Sequence, residues 1–333
     1  MVVSIPIVFC YHIIARPFKA IGALLGFLLL GILSSDLAAE ELGGASILFP
    51  EAKEPYSTIF KDTINGINTY SGLKVRTRAV TRQSKQKSID KWLGKKKPAV
   101  SVALGHRSLK VLQSSPHVTA APILTAAFLS LPESLDNVAM TVTYTPDPDL
   151  IFRTFSQLSP DTKKIHVVIN ESRWYWLLDF AQRAAETYGF TLQTHNANNV
   201  QESARIYGRV LTTMDPKLDS LWLPQDSSTL DNELIMPLIL DVLWARKLKV
   251  FSSSLSSVNR GVLLGVYPDN IGMGRYLGEL SREMAKGNIP EENLQPLRQI
   301  FTALNIRTAK HIDINVEHEL MKTFELVLPK NVP

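Results

Sequence analysis

A run of small hydroxyl side chains follows a short apolar stretch in the second half of the chain. The sequence predicts a strand over residues 249–251, a serine-rich loop over residues 252–260 and a second apolar strand over residues 261–267. Hydroxyl groups and helix N-termini at strand ends offer hydrogen-bond donors, and α/β proteins build ligand clefts from them. The serines predict no nucleophile, because no Gly-x-Ser-x-Gly sequence surrounds them and no partner base is apparent. The stretch therefore indicates binding rather than catalysis.

Other residues that could do chemistry lack the required spacing. Gly272, Gly274 and Gly278 come close to a dinucleotide-binding fingerprint, but the spacing is off by one and the run follows a Pro-Asp turn, so we interpret them as sites of close helix packing. The seven histidines show no metal-ligand spacing such as His-Glu-x-x-His. The only cysteine, Cys10, lies in an N-terminal stretch that we expect to be removed. We expect no cofactor, no metal and no enzymatic activity.

The ends of the other predicted strands supply further candidates for ligand contact. Helix N-termini and short polar side chains offer donors to a carboxylate, and aromatic side chains supply an apolar wall. For each residue alone, ordinary capping or packing is the competing interpretation. The candidates are Pro50, Glu51, Tyr56, Gly105, His106 and Thr125 in the first half, Asn170, Glu171, Trp174, Gln225, Asp226, Ser253 and Ser254 in the second, and Tyr267 at the end of the last strand.

The segment Arg173-Trp-Tyr-Trp176 has two interpretations. An aromatic side chain at the rim of a cleft suits an aromatic or apolar ligand. Trp174 also falls on the apolar stripe of a predicted helix, where it would belong to the core. The sequence leaves both open.

Apolar runs alternate with helical patterns from Ala45 onward. Strands are predicted over residues 45–49, 74–80, 99–104, 122–128, 138–144, 164–169, 191–194 and 220–223, and helices over 57–70, 83–93, 174–188, 200–213, 237–247 and 316–326. This βαβα order predicts parallel sheets with helices on both faces. The two prolines of residues 145–149 (TPDPD) interrupt it and predict a first domain boundary. The predicted fold is α/β with two lobes and a ligand crevice at the carboxyl ends of their strands.

The N-terminal residues predict export. Arg16 and Lys19 precede an apolar run over residues 20–33, and residues 34–39 (SSDLAA) form a small-residue cleavage region. This pattern is typical of a secretory signal peptide over residues 1–39, and the run is short for a membrane span of roughly 20 residues. A further apolar stretch over residues 2–14 leaves an uncleaved inner-membrane anchor as the alternative. We expect the protein in the periplasm of a Gram-negative bacterium.

Composition limits the classes of partner. The chain has 333 residues, 45% of them hydrophobic, which suits one large or two medium domains. Its net charge is +5, and residues 74–97 hold ten Lys and Arg against one acid, Asp90. No helix-turn-helix or aromatic-interleaved basic motif accompanies this run, so we interpret it as a solvated helix face. We expect no nucleic-acid partner and a monomer.

Several short motifs in this order of elements carry a family resemblance. They are residues 221–226, 237–247 and 250–254, Gly261, Gly265, Tyr267-Pro268, Gly272, Gly274, Gly287, Asn305 and Ala309. Together they resemble the bacterial ABC-transporter substrate-binding proteins of the type I periplasmic-binding fold, in the branch of tryptophan- and tyrosine-type binding proteins and uncharacterised Gram-negative relatives. Two family features are absent. Residues 140–144 run into Thr145-Pro146 where Thr-Gly is usual, and Gly261-Val262 replaces a Gly-Ala pair.

The resemblance implies a hinged carrier with three crossings between lobes, near residues 144–147, 264–268 and 288–292. Lobe one is then residues 45–145 with 265–288, and lobe two residues 146–264 with 289–333. A small solute that is amino acid-like, aromatic or carboxylated would bind between them and pass to an inner-membrane ABC permease. The alternative is a ligand-sensing or activator module that docks on a membrane sensor or a cell-wall enzyme.

Overall fold

The computed structural model describes residues 43–54, 56–117 and 121–330, which belong to one compact unit. The predicted signal peptide and the alternative of an uncleaved anchor both fall on residues outside the described ranges. Among the described helices, none is both long enough and apolar enough to cross a membrane.

The first part of the chain alternates strands and helices as the periodicity predicts. Its elements are β1 (Ala45–Pro50), α1 (Tyr56–Tyr70), β2 (Val75–Val80), α2 (Gln86–Gly94), β3 (Val100–Leu104), α3 (Gly105–Gln113), β4 (Ile123–Ala126) and β5 (Val138–Pro146).

The middle of the chain repeats the alternation. Its elements are α4 (Pro148–Leu158), β6 (Lys164–Ile169), α5 (Glu171–Thr187), β7 (Thr191–Asn196), α6 (Val200–Thr213), β8 (Asp219–Leu223), α7 (Ile235–Arg246), β9 (Lys249–Ser252), α8 (Leu255–Arg260) and β10 (Leu264–Pro268). The last part contains α9 (Asn270–Ala285), β11 (Leu294–Leu297), β12 (Ile300–Asn305), α10 (Ile306–His311), α11 (His318–Met321) and β13 (Leu326–Leu328).

The strands form two sheets. The first has six strands in the order β11-β5-β4-β3-β1-β2, all paired in parallel. The second has seven strands in the order β13-β12-β10-β9-β8-β6-β7, where only β10 and β12 pair antiparallel. We name each sheet with its helices lobe one and lobe two, respectively. The predicted α/β fold with two mostly parallel sheets is confirmed.

Burial on both faces explains why the strands are continuous apolar runs. In β1, Ile47 contributes to the core beneath α1 and α9, and its neighbour Leu48 to the core beneath α2 and α3. In β8, Trp222 and Leu221 likewise enter the two separate cores of lobe two. Each sheet thus has an apolar layer on either side and keeps only its strand ends for polar contacts.

The structure differs from the prediction in the serine-rich segment and in the tail. Residues 255–260, predicted as loop, form α8, whose Val258 is fully buried; the serines favour loops and caps and so conceal the helical spacing. Residues 300–305 form β12 because they pair with β10, which local sequence does not show. Only residues 318–321 of the helix predicted over 316–326 are α-helical.

Sheet membership shifts the third crossing. The resemblance places it at residues 288–292, but β11 pairs with β5, so the chain leaves the first sheet only after Leu297. The first crossing follows Pro146 at the end of β5, and the second follows Pro268 at the end of β10. Strand pairing, rather than chain composition, sets where the third passage occurs.

Helices α1 and α9 pack closely because glycines line their contact. A Cβ at Gly274 would lie 2.2 Å from the carbonyl oxygen of Thr63, and one at Gly66 would lie 2.6 Å from that of Ile271. A Cβ at Gly278 would lie 3.1 Å from the carbonyl oxygen of Ile67. Backbones this close leave no room for a side chain, so Gly274 and Gly278 serve helix packing, as the sequence predicts. The same prediction is wrong for Gly272, where a Cβ would meet the Asp269 carboxylate that caps α9.

Gly274→Ala should lower the free energy of unfolding by about 1–3 kcal/mol, because the added methyl forces the two helices apart. The matched control is Gly208→Ala in α6, where a Cβ would meet no atom within 4 Å. That change should raise the free energy by up to about 1 kcal/mol through helix propensity. Urea unfolding of both variants checks the pair, and equal stabilities would contradict the packing account.

Candidate functional site

The carboxyl ends of the strands in the two sheets face one another. The chain passes from the end of β5 into lobe two, and from the end of β10 into lobe one. Its third passage joins Leu297, paired with Pro146, to Ile300, paired with Pro268. All three crossings therefore connect the carboxyl edge of one sheet to that of the other. Ligands of parallel sheets bind outside this edge, so the cleft between the edges is the candidate site.

The three crossings are bonded to one another. The backbone N–H of Asp147 donates to the carbonyl of Leu297 at 2.9 Å, and that of Asp269 donates to the carbonyl of Gln299 at 3.0 Å. The Tyr144 hydroxyl donates to Asn270 Oδ1 at 2.8 Å, which ties the first crossing to the start of α9. We name residues 146–147, 268–269 and 298–299 the hinge.

An ion-pair cluster surrounds the hinge. The Arg298 guanidinium donates to the carboxylates of Asp147 and Asp149, and the Tyr188 hydroxyl donates to Asp149 Oδ1 at 2.8 Å. Burial raises the pKa of Asp147, although Arg298 acts in the opposite direction. The Arg298 side chain is about half exposed, so these pairs fix the orientation of the crossings more than they stabilise the fold.

In lobe one, the edge of the cleft contains Gly105 and His106. Gly105 has φ +75°, a left-handed conformation that favours glycine and lets α3 begin directly at the end of β3. The His106 ring meets Phe128 edge-on with centroids 4.7 Å apart. Burial lowers the pKa of this imidazole, while a hydrogen bond with the Ser130 backbone acts in the opposite direction. Beside it lies a depression of about 540 Å³ that Lys110 and residues 130–134 also line.

The other lobe-one candidates divide into accessible and buried residues. Tyr56, the first residue of α1, is 63% exposed, and Glu51 is also exposed. Pro50 ends β1 next to Gly105: a Cβ added at Gly105 would lie 3.5 Å from the Cγ of Pro50. Thr125 is fully buried, and its hydroxyl donates to the Ala103 carbonyl at 2.9 Å. Pro50, Glu51 and Tyr56 thus lie at or just after the carboxyl end of β1, whereas the Thr125 side chain is buried within β4.

In lobe two, the Asp226 carboxylate is buried and fully engaged. It accepts from the backbone N–H of Asn170 at 2.9 Å, from the N–H and hydroxyl of Ser228, and from the Thr229 hydroxyl at 2.9 Å. Asn170 is the N-cap of α5, and its Oδ1 accepts from the backbone N–H of Arg173. The protein itself therefore satisfies the backbone N–H groups of Asn170 and Arg173 at the start of α5.

Two more lobe-two candidates are also held internally. Ser253 is fully buried, and its hydroxyl accepts from Trp222 Nε1 at 3.0 Å. Trp174 is 4% exposed and stacks on Trp176 within the core, which resolves the two interpretations of the aromatic segment towards packing. Glu171 is exposed, and its backbone N–H donates to Asn196 Oδ1.

Three lobe-two candidates keep polar groups available. Ser254 precedes α8 without making a side-chain cap. Tyr267 is half-buried beside Phe301, and burial raises the pKa of its phenol. Gln225 Oε1 is buried and accepts no hydrogen bond from the described residues, and the same holds for Gln299 Oε1 at the hinge. Buried acceptors are normally satisfied, so a donor from a ligand or from water would fit these two oxygens.

Sequence reasoning missed Phe128, Ala127 and Gln299. Ala127 has φ 65°, a left-handed conformation that is uncommon outside glycine, directly after β4 at the cleft edge. Strained residues of this kind concentrate at functional sites. Nothing in the sequence marks Ala127, whereas Phe128 ends a predicted strand and could have been included by the rule that selected His106.

A histidine pair in lobe two lies away from the cleft edge. His166 Nδ1 and His195 Nε2 are 3.0 Å apart, and His166 Nε2 is 3.5 Å from Asp219, the first residue of β8. Burial lowers the pKa of both imidazoles. Among the described residues, no three His, Cys, Asp or Glu side chains are grouped to hold a metal ion. The pair is part of the packing of lobe two.

Comparisons with known proteins agree with this geometry. The family model of the ABC transporter substrate binding proteins matches residues 65–327. A comparison with curated proteins found no match.

Solved structures of similar fold cover most of the chain. A ligand-free, open substrate binding protein with adhesive properties from Clostridium difficile shares 16% identity over 86% of this chain and 99% of its own, with a TM-score of 0.58. An ABC domain in complex with L-Trp from Streptococcus pneumonia shares 18% sequence identity over 85% of this chain and 100% of its own, with a TM-score of 0.52. A conserved domain protein from Vibrio cholerae shares 16% sequence identity over 86% of this chain and 99% of its own, with a TM-score of 0.51. The two-lobed architecture is that of the type I periplasmic-binding fold.

Asp226→Ala should lower the free energy of unfolding by about 2–4 kcal/mol, because several buried donors lose their acceptor at once. The control is Asp179→Ala on the exposed face of α5, which should change stability by less than about 0.5 kcal/mol. Urea unfolding compares the two variants. If they are equally stable, the carboxylate does not hold this corner of lobe two.

Proposed function

The chain belongs to the ABC transporter substrate-binding protein family, and from this premise we propose that it captures a small amino acid-like or aromatic solute between its two lobes. The observation that carries the proposal is the pair of facing carboxyl edges joined at a bonded hinge. Ligand in the cleft would contact both lobes and so favour a closed arrangement over an open one.

The proposed contacts are the candidates that the structure leaves accessible. In lobe one they are Pro50, Glu51, Tyr56 and His106, with Phe128 behind the His106 ring; in lobe two they are Glu171, Gln225, Ser254 and Tyr267. Aromatic rings on both edges give an apolar wall to each side of the solute. Thr125, Asn170, Trp174, Asp226 and Ser253 position these residues through internal bonds and packing.

The polarity of the cleft supports a ligand that carries hydrogen-bond donors. The buried oxygens of Gln225 and Gln299 accept no hydrogen bond from any residue that the structure describes, and an amino or amide group of a solute would satisfy them. Arg298 is engaged by two carboxylates, and the start of α5 is already capped. A ligand carboxylate would instead meet the backbone N–H groups at the start of α3, where Leu104 provides no side-chain cap.

The solute would be passed to an inner-membrane ABC permease, and the protein would act in the periplasm as a monomer without catalytic activity. One neighbour of similar fold holds L-Trp, which fits the aromatic walls of this cleft.

A thermal-shift screen against amino acids, their aromatic relatives, nucleosides, sugars and small carboxylates tests the function. A ligand at 100 times its dissociation constant adds roughly 2.7 kcal/mol to stability, and Tm should rise by roughly 5 °C. We expect amino acids or aromatic compounds to give the largest rise. A folded protein that responds to no compound would contradict a solute-binding role.

Tyr56→Ala should weaken binding of the solute found in that screen by about 5- to 30-fold, since an aromatic wall of the cleft is lost. The control is Tyr70→Ala at the other end of the same helix, roughly 20 Å away by helix rise, where affinity should be unchanged. Calorimetric titration measures both, and Tm of the free variants verifies folding. Equal affinities for the two variants would place the solute elsewhere.

A further inference from the structure

Positive charge is concentrated in one short segment of lobe one. Residues 74–97 carry ten Lys and Arg and one acid, a net charge of +9, whereas the whole chain carries +5, so the other residues together carry −4. The segment forms β2, which is an edge strand of the six-stranded sheet, and α2, which packs beside it. The protein is therefore electrically asymmetric.

Two lysines of α2 and its C-cap, Lys95, lie opposite the buried side of the helix. Ile89 and Leu93 are buried against lobe one. Lys87, Lys91 and Lys95 follow one another at four-residue spacing and are all exposed. At 100° per residue these three fall on the face directly across the helix from Ile89 and Leu93. They form a row of cations that points away from the protein.

Two arginines of the segment hold this face in place and are not part of it. Arg76 donates to the carbonyls of Trp92, Leu93 and Lys96, which fixes the end of α2 on the sheet. Arg78 donates to the Ser88 carbonyl. The Arg76 guanidinium also lies 4.4 Å from the centre of the Trp92 ring and covers it. Arg76 and Arg78 thus hold α2 on the sheet, and the Arg76 guanidinium covers the Trp92 ring.

Other cations flank the row. They are Arg82, Lys85, Lys96 and Lys97, all exposed. Within the part of the chain that the structure describes, the side chains of these four and of the three lysines in the row make no hydrogen bond or ion pair. The one acid of the segment, Asp90, accepts from Gln86 Nε2 at 2.9 Å. We name these seven residues the basic face.

We propose that the basic face docks on an anionic lipid surface. Protein interfaces bury an apolar or aromatic centre and are depleted in lysine, and this face exposes no large apolar side chain. Single-stranded nucleic acid requires free aromatic rings for stacking, and Trp92 is covered by Arg76. Lysine is a flexible point charge without fixed geometry, which suits a diffuse plane of phosphates. Clusters of four to eight Lys and Arg are typical of binding to anionic lipid.

The docked orientation follows from the charge asymmetry. An anionic surface attracts the basic face and repels the net negative remainder, so lobe one faces the lipid through α2. The ligand contacts named above are not in α2, so this proposal stands whether or not a solute is found.

Vesicle sedimentation of the full chain tests the proposal, with phosphatidylcholine vesicles that either contain or lack phosphatidylglycerol. The wild type should bind the anionic vesicles much more tightly, and salt should weaken this binding. Any N-terminal contribution, including that of Arg16 and Lys19, is common to the wild type and its variants and cancels when they are compared on the same vesicles. The variant Lys87→Gln/Lys91→Gln/Lys95→Gln should lose roughly 100-fold in affinity, since each lysine near an anionic surface contributes about fivefold.

The matched control is Lys163→Gln/Lys217→Gln/Lys310→Gln, which removes the same charge from exposed positions of lobe two. Its binding should stay within about twofold of the wild type, because screened charges away from the contact contribute little. Equal losses in the two variants would show that total charge, not the basic face, drives binding. Equal binding to both kinds of vesicle, or binding to heparin without binding to anionic vesicles, would also overturn the proposal.

Discussion

The backbone bonds between the three crossings are the constraint on which the rest of the structure depends. Asp147 and Asp269 each donate to the third crossing, so the three passages form one narrow bonded strip between the lobes. Each lobe carries its own apolar layers on both faces of its sheet. Closely packed cores do not deform gradually, so the proposed closure would be a rotation of the two lobes about this strip.

Two groups of residues lie at the proposed cleft. One group is bonded internally and holds the frame together, and the other is accessible from the cleft. The polar groups of Asp226, Asn170 and Ser253 form hydrogen bonds within lobe two, and all three side chains are buried. Tyr56, Ser254 and Tyr267 remain accessible at the same edges. A frame that is satisfied internally keeps its geometry whether or not ligand is bound, and only the facing side chains need to differ between relatives with different solutes.

Much of the fold could be predicted because local periodicity and tertiary structure agree. Residues 164–169 and 200–213 have the predicted bounds, since a buried parallel strand and an amphipathic helix leave strong patterns. Strand β12 and the position of the third crossing could not be predicted, because they depend on pairing between distant segments. The strand-end rule predicts which residues lie near the carboxyl ends of the strands, but it could not tell Thr125, whose hydroxyl bonds to the Ala103 carbonyl, from an exposed residue such as His106.

The distance between the lobes tests the central claim most directly. Spin labels at Arg107→Cys in lobe one and Asn232→Cys in lobe two, both exposed positions, report that distance in a chain whose only native cysteine is replaced by Cys10→Ser. Pulsed electron paramagnetic resonance should show a shorter and narrower distribution of distances between the two spin labels when a stabilising solute is added. A solute that raises Tm and leaves the distribution unchanged would contradict closure of two lobes on a ligand between them.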